Sequence, residues 1–204
     1  MTDPTRTYHH GDLRAALLDE AAAMIAEEGT ASVTMRALGR RLGVSRAAAY
    51  RHFEDKTALL VAVAASGFRR LSDRLAGIEV DAPRSSVERV RRMGEEYVRF
   101  ALENPAHYRL MYGTEAMARE NLPELREAGN ALFEQLVDLF QAYQGSGWIK
   151  RQDPRAQAYV AWSAVHGLAS LLIDGQITSD IDVDALIRQT TQMVLDGMRS
   201  GRGP

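Results

Sequence analysis

Apolar positions recur every three or four residues along nearly the whole chain and nowhere alternate over any length, so the pattern predicts helices and no strands. A first helix is expected over Asp12–Glu28, with Leu17, Ala21, Met24 and Ile25 on one face and a stop at Gly29. Thr34 is an N-cap residue type, and the second helix it opens ends before Gly43. Ser45 caps a short third helix through Phe53. Asp55 caps a long fourth, with Leu60, Val63, Leu71, Leu75 and Ile78 at helical spacing.

The periodicity breaks around Asp81–Pro83. Ser85 followed by Glu88 forms a capping box, and the helix it opens is interrupted at Asn104–Pro105. A short segment with Tyr108, Met111 and Tyr112 follows. Leu125, Leu132, Phe133, Leu136 and Phe140 then mark a long helix from Pro123 to about Tyr143. After a Gly145–Gly147 loop, Asp153 and Pro154 set an N-cap with proline at the first helical position, opening a helix that ends at Gly175. The last helix starts near Asp182 and carries Val183, Leu186, Ile187, Thr190, Val194 and Met198 as a stripe. The fold class is therefore all-α, with about nine helices.

Composition narrows the function. At 46% hydrophobic and 25% charged residues the 204-residue chain has the make-up of an ordinary globular protein. With no cysteine, disulfides, thiolate metal sites and cysteine nucleophiles are excluded, which fits a reducing, cytoplasmic setting. The N-terminus lacks the apolar core of a signal peptide. Residues 156–173 are uncharged, yet Gln157, Ser163, His166, Gly167 and Ser170 suit a helix buried among protein neighbours better than one in lipid, so no membrane contact is expected. There is no nucleophile elbow, P-loop, dinucleotide turn or zinc-protease motif, and His9 and His10 are adjacent rather than spaced to converge on one metal. No catalytic residue, metal or cofactor is expected.

The net charge of −2 is uninformative, but its distribution is not. Between Thr34 and Lys56 lie Arg36, Arg40, Arg41, Arg46, Arg51 and Lys56 against Glu54 and Asp55, so this segment carries +4 and the remainder −6. A compact basic patch on an acidic body is the footprint of a phosphate-binding face. On charge alone a solvated helix surface is the better account.

The two short helices around Gly43–Val44 sharpen the reading. A tight turn calls for a glycine at positive φ, and Leu38, Leu42 and Val44 would bury the junction while Ala48 and Ala49 permit close approach. The second of the pair would then enter the major groove with Arg46 near the base edges, where an arginine can donate to guanine O6 and N7. Tyr50, His52 and Lys56 are spaced for phosphates, and Thr34 offers a hydroxyl beside free helix-start amides. Phe53 reads as packing.

Residues 34–56, Thr-Met-Arg-Ala-Leu-Gly-Arg-Arg-Leu-Gly-Val-Ser-Arg-Ala-Ala-Ala-Tyr-Arg-His-Phe-Glu-Asp-Lys, followed by Ala58-Leu59-Leu60, resemble the DNA-binding domain of the TetR family, over about Leu13 to Val63. The opening Tyr-His-His-Gly-Asp-Leu, residues 8–13, is similar to one branch of that family. Trp-Ser-Ala-Val-His-Gly-Leu, residues 162–168, resembles its tryptophan–histidine–glycine type of C-terminal domain. The resemblance implies a homodimer on a double-stranded, palindromic DNA operator, with an arm and helix-turn-helix domain over 1–56. It implies a helical ligand-binding and dimerisation domain over 57–204, of which 57–78 is the connecting helix. Carried over by position, Arg36, Arg46, Ala47 and Ala48 face bases and Thr34, Tyr50, His52 and Lys56 hold phosphates. Ser45 and Arg51 complete the candidate set. Two positions depart from the family. Gly39 stands where alanine is usual, which should loosen the second helix by about 1 kcal/mol. Ala49 replaces a larger apolar residue.

In the C-terminal half, Ala161, Ala164, Gly167 and Ser170 allow close helix approach while Leu168, Leu171 and Leu172 supply apolar area, as a two-fold pairing of the last two helices needs. The candidate lining for a small-molecule effector is Tyr97, Phe100, Tyr108, Met111, Tyr112, Phe133, Leu136, Trp162 and His166, with Met117 beside them. Taken singly, each is better explained by core packing. The implied function is a transcriptional regulator, a repressor released by an apolar ligand; the rivals are a constitutive DNA-binding protein and a helical interaction protein.

Overall fold

The computed structural model of the chain describes residues 13–78, 88–113, 122–177 and 180–200. Among the described residues are nine α-helices: α1 (Leu13–Glu28), α2 (Met35–Leu42), α3 (Arg46–Tyr50), α4 (Lys56–Ala76), α5 (Glu88–Glu103), α6 (Pro105–Tyr112), α7 (Pro123–Gly145), α8 (Pro154–Ile173) and α9 (Val183–Met198). A 3-10 turn, Thr30–Ser32, links α1 to α2, and a single bridge between Ile149 and Arg199 is the extended pairing found among these residues. The expected arm at Tyr8–Asp12, the break at Asp81–Pro83, the Ser85 cap and Met117 lie outside the described residues.

The caps form where the polar residues stand. Thr34 Oγ1 accepts from the amide of Ala37 at 3.1 Å, and Ser45 Oγ from that of Ala48 at 3.2 Å. Asp55 accepts from Ala58 at 2.7 Å, Asp153 from Arg155 at 2.9 Å and Asp182 from Ala185 at 3.0 Å. Each such cap is worth about 1 kcal/mol. Helix ends differ by a few residues from the periodicity. α3 stops at Tyr50 because the chain turns there to send Phe53 inward, where it is buried; α8 stops at Ile173, and Gly175 takes φ +64° beyond it. Ile78 falls past the end of α4.

Two compact units result. One takes in the chain through Gly67 together with Ala106–Leu125; the other takes in Phe68–Pro105 and the chain from Arg126 on. The division falls inside α4 and assigns nearly all of α6 to the first unit. In that unit Leu17, Ala21 and Met24 form the inner face of α1, and with Val33, Leu38, Phe53, Leu59 and Val63 they make its core. Burying one such leucine fully contributes about 1.5–3 kcal/mol.

In the second unit α5, α8 and α9 pack mutually. Val90, Val137, Phe140, Tyr143, Ile149, Ala158, Ala161, Leu195 and Met198 form one contiguous core. Gln157 is buried beside it with its polar atoms satisfied: its Oε1 accepts from Gln144 at 2.9 Å, and its amide donates to the Lys150 carbonyl at 3.1 Å. Ser200, two residues past α9, is tied back to the α7–α8 turn, its amide donating to the Trp148 carbonyl at 3.2 Å and its hydroxyl to that of Gly147 at 2.6 Å.

α8 is long and apolar enough, by length and composition, to cross a membrane. It is not buried all round as the pattern implied. Its inner face (Gln157, Ala158, Ala161, Val165, Leu168, Ala169) is buried, so Ala161 and Leu168, expected in a dimer contact, are core residues of the unit. The outer side presents Tyr159, Val160, Ser163 and Leu171 to solvent.

Candidate nucleic-acid interface

The helix pair α2–α3 is assembled from local rules. Gly43 terminates α2 at φ +68°, the left-handed conformation a tight turn requires. The Val44 amide then donates to the Gly39 carbonyl at 2.9 Å, folding the turn back onto α2. Gly39 is buried, and a Cβ there would stand 2.9 Å from the Val44 carbonyl oxygen and 3.6 Å from the Arg46 nitrogen. The propensity lost at Gly39 is therefore set against a close approach of backbone to backbone that a side chain would obstruct.

On the exposed side, α3 presents Arg46, Ala47, Tyr50 and Arg51 around a shallow open hollow. The Arg46 guanidinium carbon lies 5.1 Å from the centre of the Tyr50 ring, and Nη2 donates to the tyrosine oxygen at 3.3 Å. Arg36, Thr34 and Ser45 are also exposed, and His52 is half-buried. The capped hydroxyl of Thr34 keeps its own proton for a further acceptor. The surface thus offers arginine forks and hydroxyl donors, the groups that pair with phosphate oxygens and guanine edges.

Three residues of the basic segment sit differently from expectation. Ala48 is buried between α2 and α3, so its methyl fills the junction and is not presented to a base. Lys56 sends its ammonium to the Thr30 carbonyl at 2.6 Å, stapling the start of α4 to the turn after α1; two of its three N–H donors remain. Arg41 is enclosed by carboxylates, with Nη1 on Glu20 at 3.0 Å and Nη2 on Glu27 at 2.7 Å and Glu28 at 3.2 Å. Hydrogen bonds to Glu27 and then Glu20 push its guanidinium pKa still higher, and its charge is cancelled within the protein. These acidic partners were not singled out in the sequence; the run Glu27–Glu28 at the end of α1 was the available signal.

The nine candidate effector residues divide between the two units. In the first, Tyr108 and Met111 are buried, and the Tyr108 and Tyr112 rings lie 5.0 Å apart. In the second, the Trp162 indole N–H donates to the Tyr97 hydroxyl at 3.1 Å, which shares a hydrogen bond of 3.0 Å with His166 Nδ1. The Phe133 ring lies tilted 5.9 Å from Trp162, with Leu136 half-buried one turn on, and Tyr159, not foreseen, extends the aromatic row at 4.4 Å from Phe133. Phe100 is fully buried beneath the Arg74 guanidinium, 5.7 Å from its ring, which is a core position.

Residues 17–63 match the family model of bacterial regulatory proteins, tetR family, and residues 90–194 that of the tetracyclin repressor-like, C-terminal domain. The chain is 34% identical over 109 residues to the nucleoid occlusion factor SlmA of Vibrio vulnificus, covering 53% of this chain and 54% of that protein. It is 35% identical over 114 residues to the HTH-type transcriptional regulator BetI of Rhizobium meliloti, covering 55% and 56%. It thus spans about half the length of the curated relatives it matches. Among solved structures, a protein with unknown function from Rhodococcus sp. RHA1 is similar with a TM-score of 0.81 at 32% identity, over 96% of this chain and 100% of that one.

Proposed function

Because the chain belongs to the TetR family of bacterial regulatory proteins, we propose that it is a cytoplasmic, DNA-binding transcriptional regulator, acting as a homodimer that a small apolar ligand releases from a palindromic operator. The observation that carries the reading is the exposed cationic face of α3, with Arg46, Tyr50 and Arg51 outward and Ala48 and Ala49 inward. Arg36 and Arg46 are assigned to base edges, and Thr34, Tyr50, His52 and Lys56 to phosphates. The outer stripes of α8 and α9, with Val160, Leu171 and Met193 exposed, supply the apolar area for a two-fold contact. Two recognition helices about 34 Å apart, or a multiple of that, would then read two half-sites. The half-buried Trp162–His166 side of α8, hydrogen-bonded through Tyr97, is assigned to the effector. A ligand acts only if it binds one arrangement of the dimer more tightly than the other.

A chromosome-bound factor with no effector is the second reading, favoured by the similarity to the Vibrio nucleoid occlusion factor. Fluorescence anisotropy tests both. Duplexes selected by the chain from random sequence are compared with scrambled duplexes across a salt series, and apolar aromatic compounds are then screened for release. Selective binding whose affinity falls by about 0.9 log units per log salt for each phosphate contact supports a DNA-reading protein. Release by a compound separates the first reading from the second. Binding without preference at every salt concentration would reject both.

A further inference from the structure

Arg46 and Tyr50 stand at the first and last positions of α3, four residues apart, so both side chains leave the same face of the helix. They meet there through a ring contact at 5.1 Å and a hydrogen bond at 3.3 Å. The packing of the helix pair does not need this tyrosine. Tyr50 is 41% exposed, whereas Leu38, Ala48, Ala49 and Phe53 are the buried residues of the junction. Among the described residues neither side chain makes another hydrogen bond.

The direction of that bond matters. A guanidinium only donates, so the Tyr50 oxygen accepts and its own proton stays available for an acceptor such as a phosphate oxygen. Of the five guanidinium N–H groups one is engaged, which leaves enough for the two acceptors of a guanine edge. A long arginine side chain reads a base only when its fork is fixed, and ordering it at the moment of binding costs entropy. A ring beneath the cation and a hydroxyl at its edge order it beforehand.

We propose that Tyr50 is the positioning residue for Arg46: it presets the guanidinium for a guanine edge and ties that contact to a phosphate through the same oxygen. The inference rests on the DNA-reading function proposed above and goes beyond a backbone contact. A tyrosine that touched only phosphate would strengthen every sequence alike, because phosphate contacts carry no sequence information.

The test uses the full chain and duplexes that it selects from random sequence. Arg46→Ala identifies the G·C pair at which preference relaxes, and a duplex changed at that pair alone is the reference. A well-placed arginine supplies about 5- to 150-fold discrimination there. Tyr50→Phe, which keeps the ring and loses the hydroxyl, is expected to cut that discrimination by at least about threefold, and Tyr50→Ala to cut it further. In the Arg46→Ala background the Tyr50 substitutions should leave preference at that pair unchanged. Because Tyr50 is exposed, far-UV dichroism and melting temperature should match the parent and exclude misfolding. If both Tyr50 variants weaken all duplexes by one factor with preference intact, the tyrosine is a phosphate contact alone and the proposal is overturned. It is overturned equally if Arg46→Ala relaxes no pair. A wild-type chain that prefers no duplex removes the DNA-reading function itself, an outcome distinct from those two.

Discussion

The indole N–H of Trp162 donates to the hydroxyl of Tyr97 at 3.1 Å, across 65 residues of chain, and joins α8 to α5. The same hydroxyl shares a hydrogen bond of 3.0 Å with His166 Nδ1, one helical turn further along α8. Tyr97→Phe removes the shared oxygen and leaves both partners without it. The expected cost is roughly 1–3 kcal/mol, about 2–4 °C of melting temperature for each kcal/mol in a chain of this size. The chain has two tryptophans, so in a Trp148→Phe background the same substitution should also shift the emission of Trp162. Unchanged emission and melting would mean the three side chains are not held together in solution.

Gly39 tests the helix-turn-helix directly. Its Cβ position already stands 2.9 Å from the Val44 carbonyl oxygen, and valine adds two more carbons beyond it. Gly39→Val should therefore push the turn away from α2, at about 1–3 kcal/mol of overpacking. Urea unfolding would register the loss, and specific DNA binding should fall further than stability does, because α3 is re-aimed. A variant as stable as wild type would show that the turn has room the geometry denies.

What could be read in the sequence was what local chemistry decides. Thr34, Ser45, Asp55, Asp153 and Asp182 each cap the helix that follows, since a short polar side chain beside free amides needs no distant partner. Partners far along the chain stayed invisible. Arg41 counts as a free cation until α1 brings Glu20 and Glu27 to it, and Lys56 until its ammonium meets the Thr30 carbonyl, 26 residues away. The uncharged run 156–173 within α8 likewise conceals that only one side is buried, because periodicity is weak when nearly every position is apolar or small.

Arg41 separates structure from DNA contact. Its charge is met by Glu20, Glu27 and Glu28, so replacing it should leave the salt dependence of DNA binding as in wild type. Removing a cation that displaces counterions, as proposed for Lys56, should reduce the slope by about 0.9. Arg41→Gln is instead expected to lower the melting temperature modestly, and molar salt should shrink the difference, because screening weakens exposed pairs. A slope reduced by about one for Arg41→Gln would return this residue to the phosphate-contacting set.

Acid should weaken the second unit at Glu88. The Arg91 guanidinium donates to both of its oxygens and, with a further bond from Arg92, holds the carboxyl below its ordinary value of 4.5. The folded state therefore takes up the proton less readily than the unfolded chain. The contact contributes fully above the ordinary carboxylate range, and its contribution is lost as pH falls through the lower folded value. Melting temperatures measured from about pH 6 to pH 3 should decline less steeply for Glu88→Gln than for wild type. Parallel declines would show that this cluster does not contribute to the acid sensitivity.

The outer side of α8 and α9 bears on assembly. Val160 is 60% exposed and Met193 66%, and the Cβ positions of Gly167 and Gly197 have no neighbour within 4 Å. Val160, Ser163, Gly167 and Leu171 fall on one stripe of α8, and Thr190, Met193 and Gly197 on one of α9, each at the three- and four-residue spacing of a packing ridge. In the proposed two-fold contact a substitution enters twice, so Val160→Glu and Gly167→Glu would bring pairs of like charges into a desolvated surface. Sedimentation equilibrium should then find the 22.6 kDa monomer where wild type shows twice that mass. Helical content should be unchanged, since the substituted positions face away from the core. DNA affinity should fall to that of a single half-site, with the salt slope roughly halved because half the phosphate contacts are lost. A Val160→Glu protein that stays dimeric and binds DNA as wild type does would move the interface off this stripe.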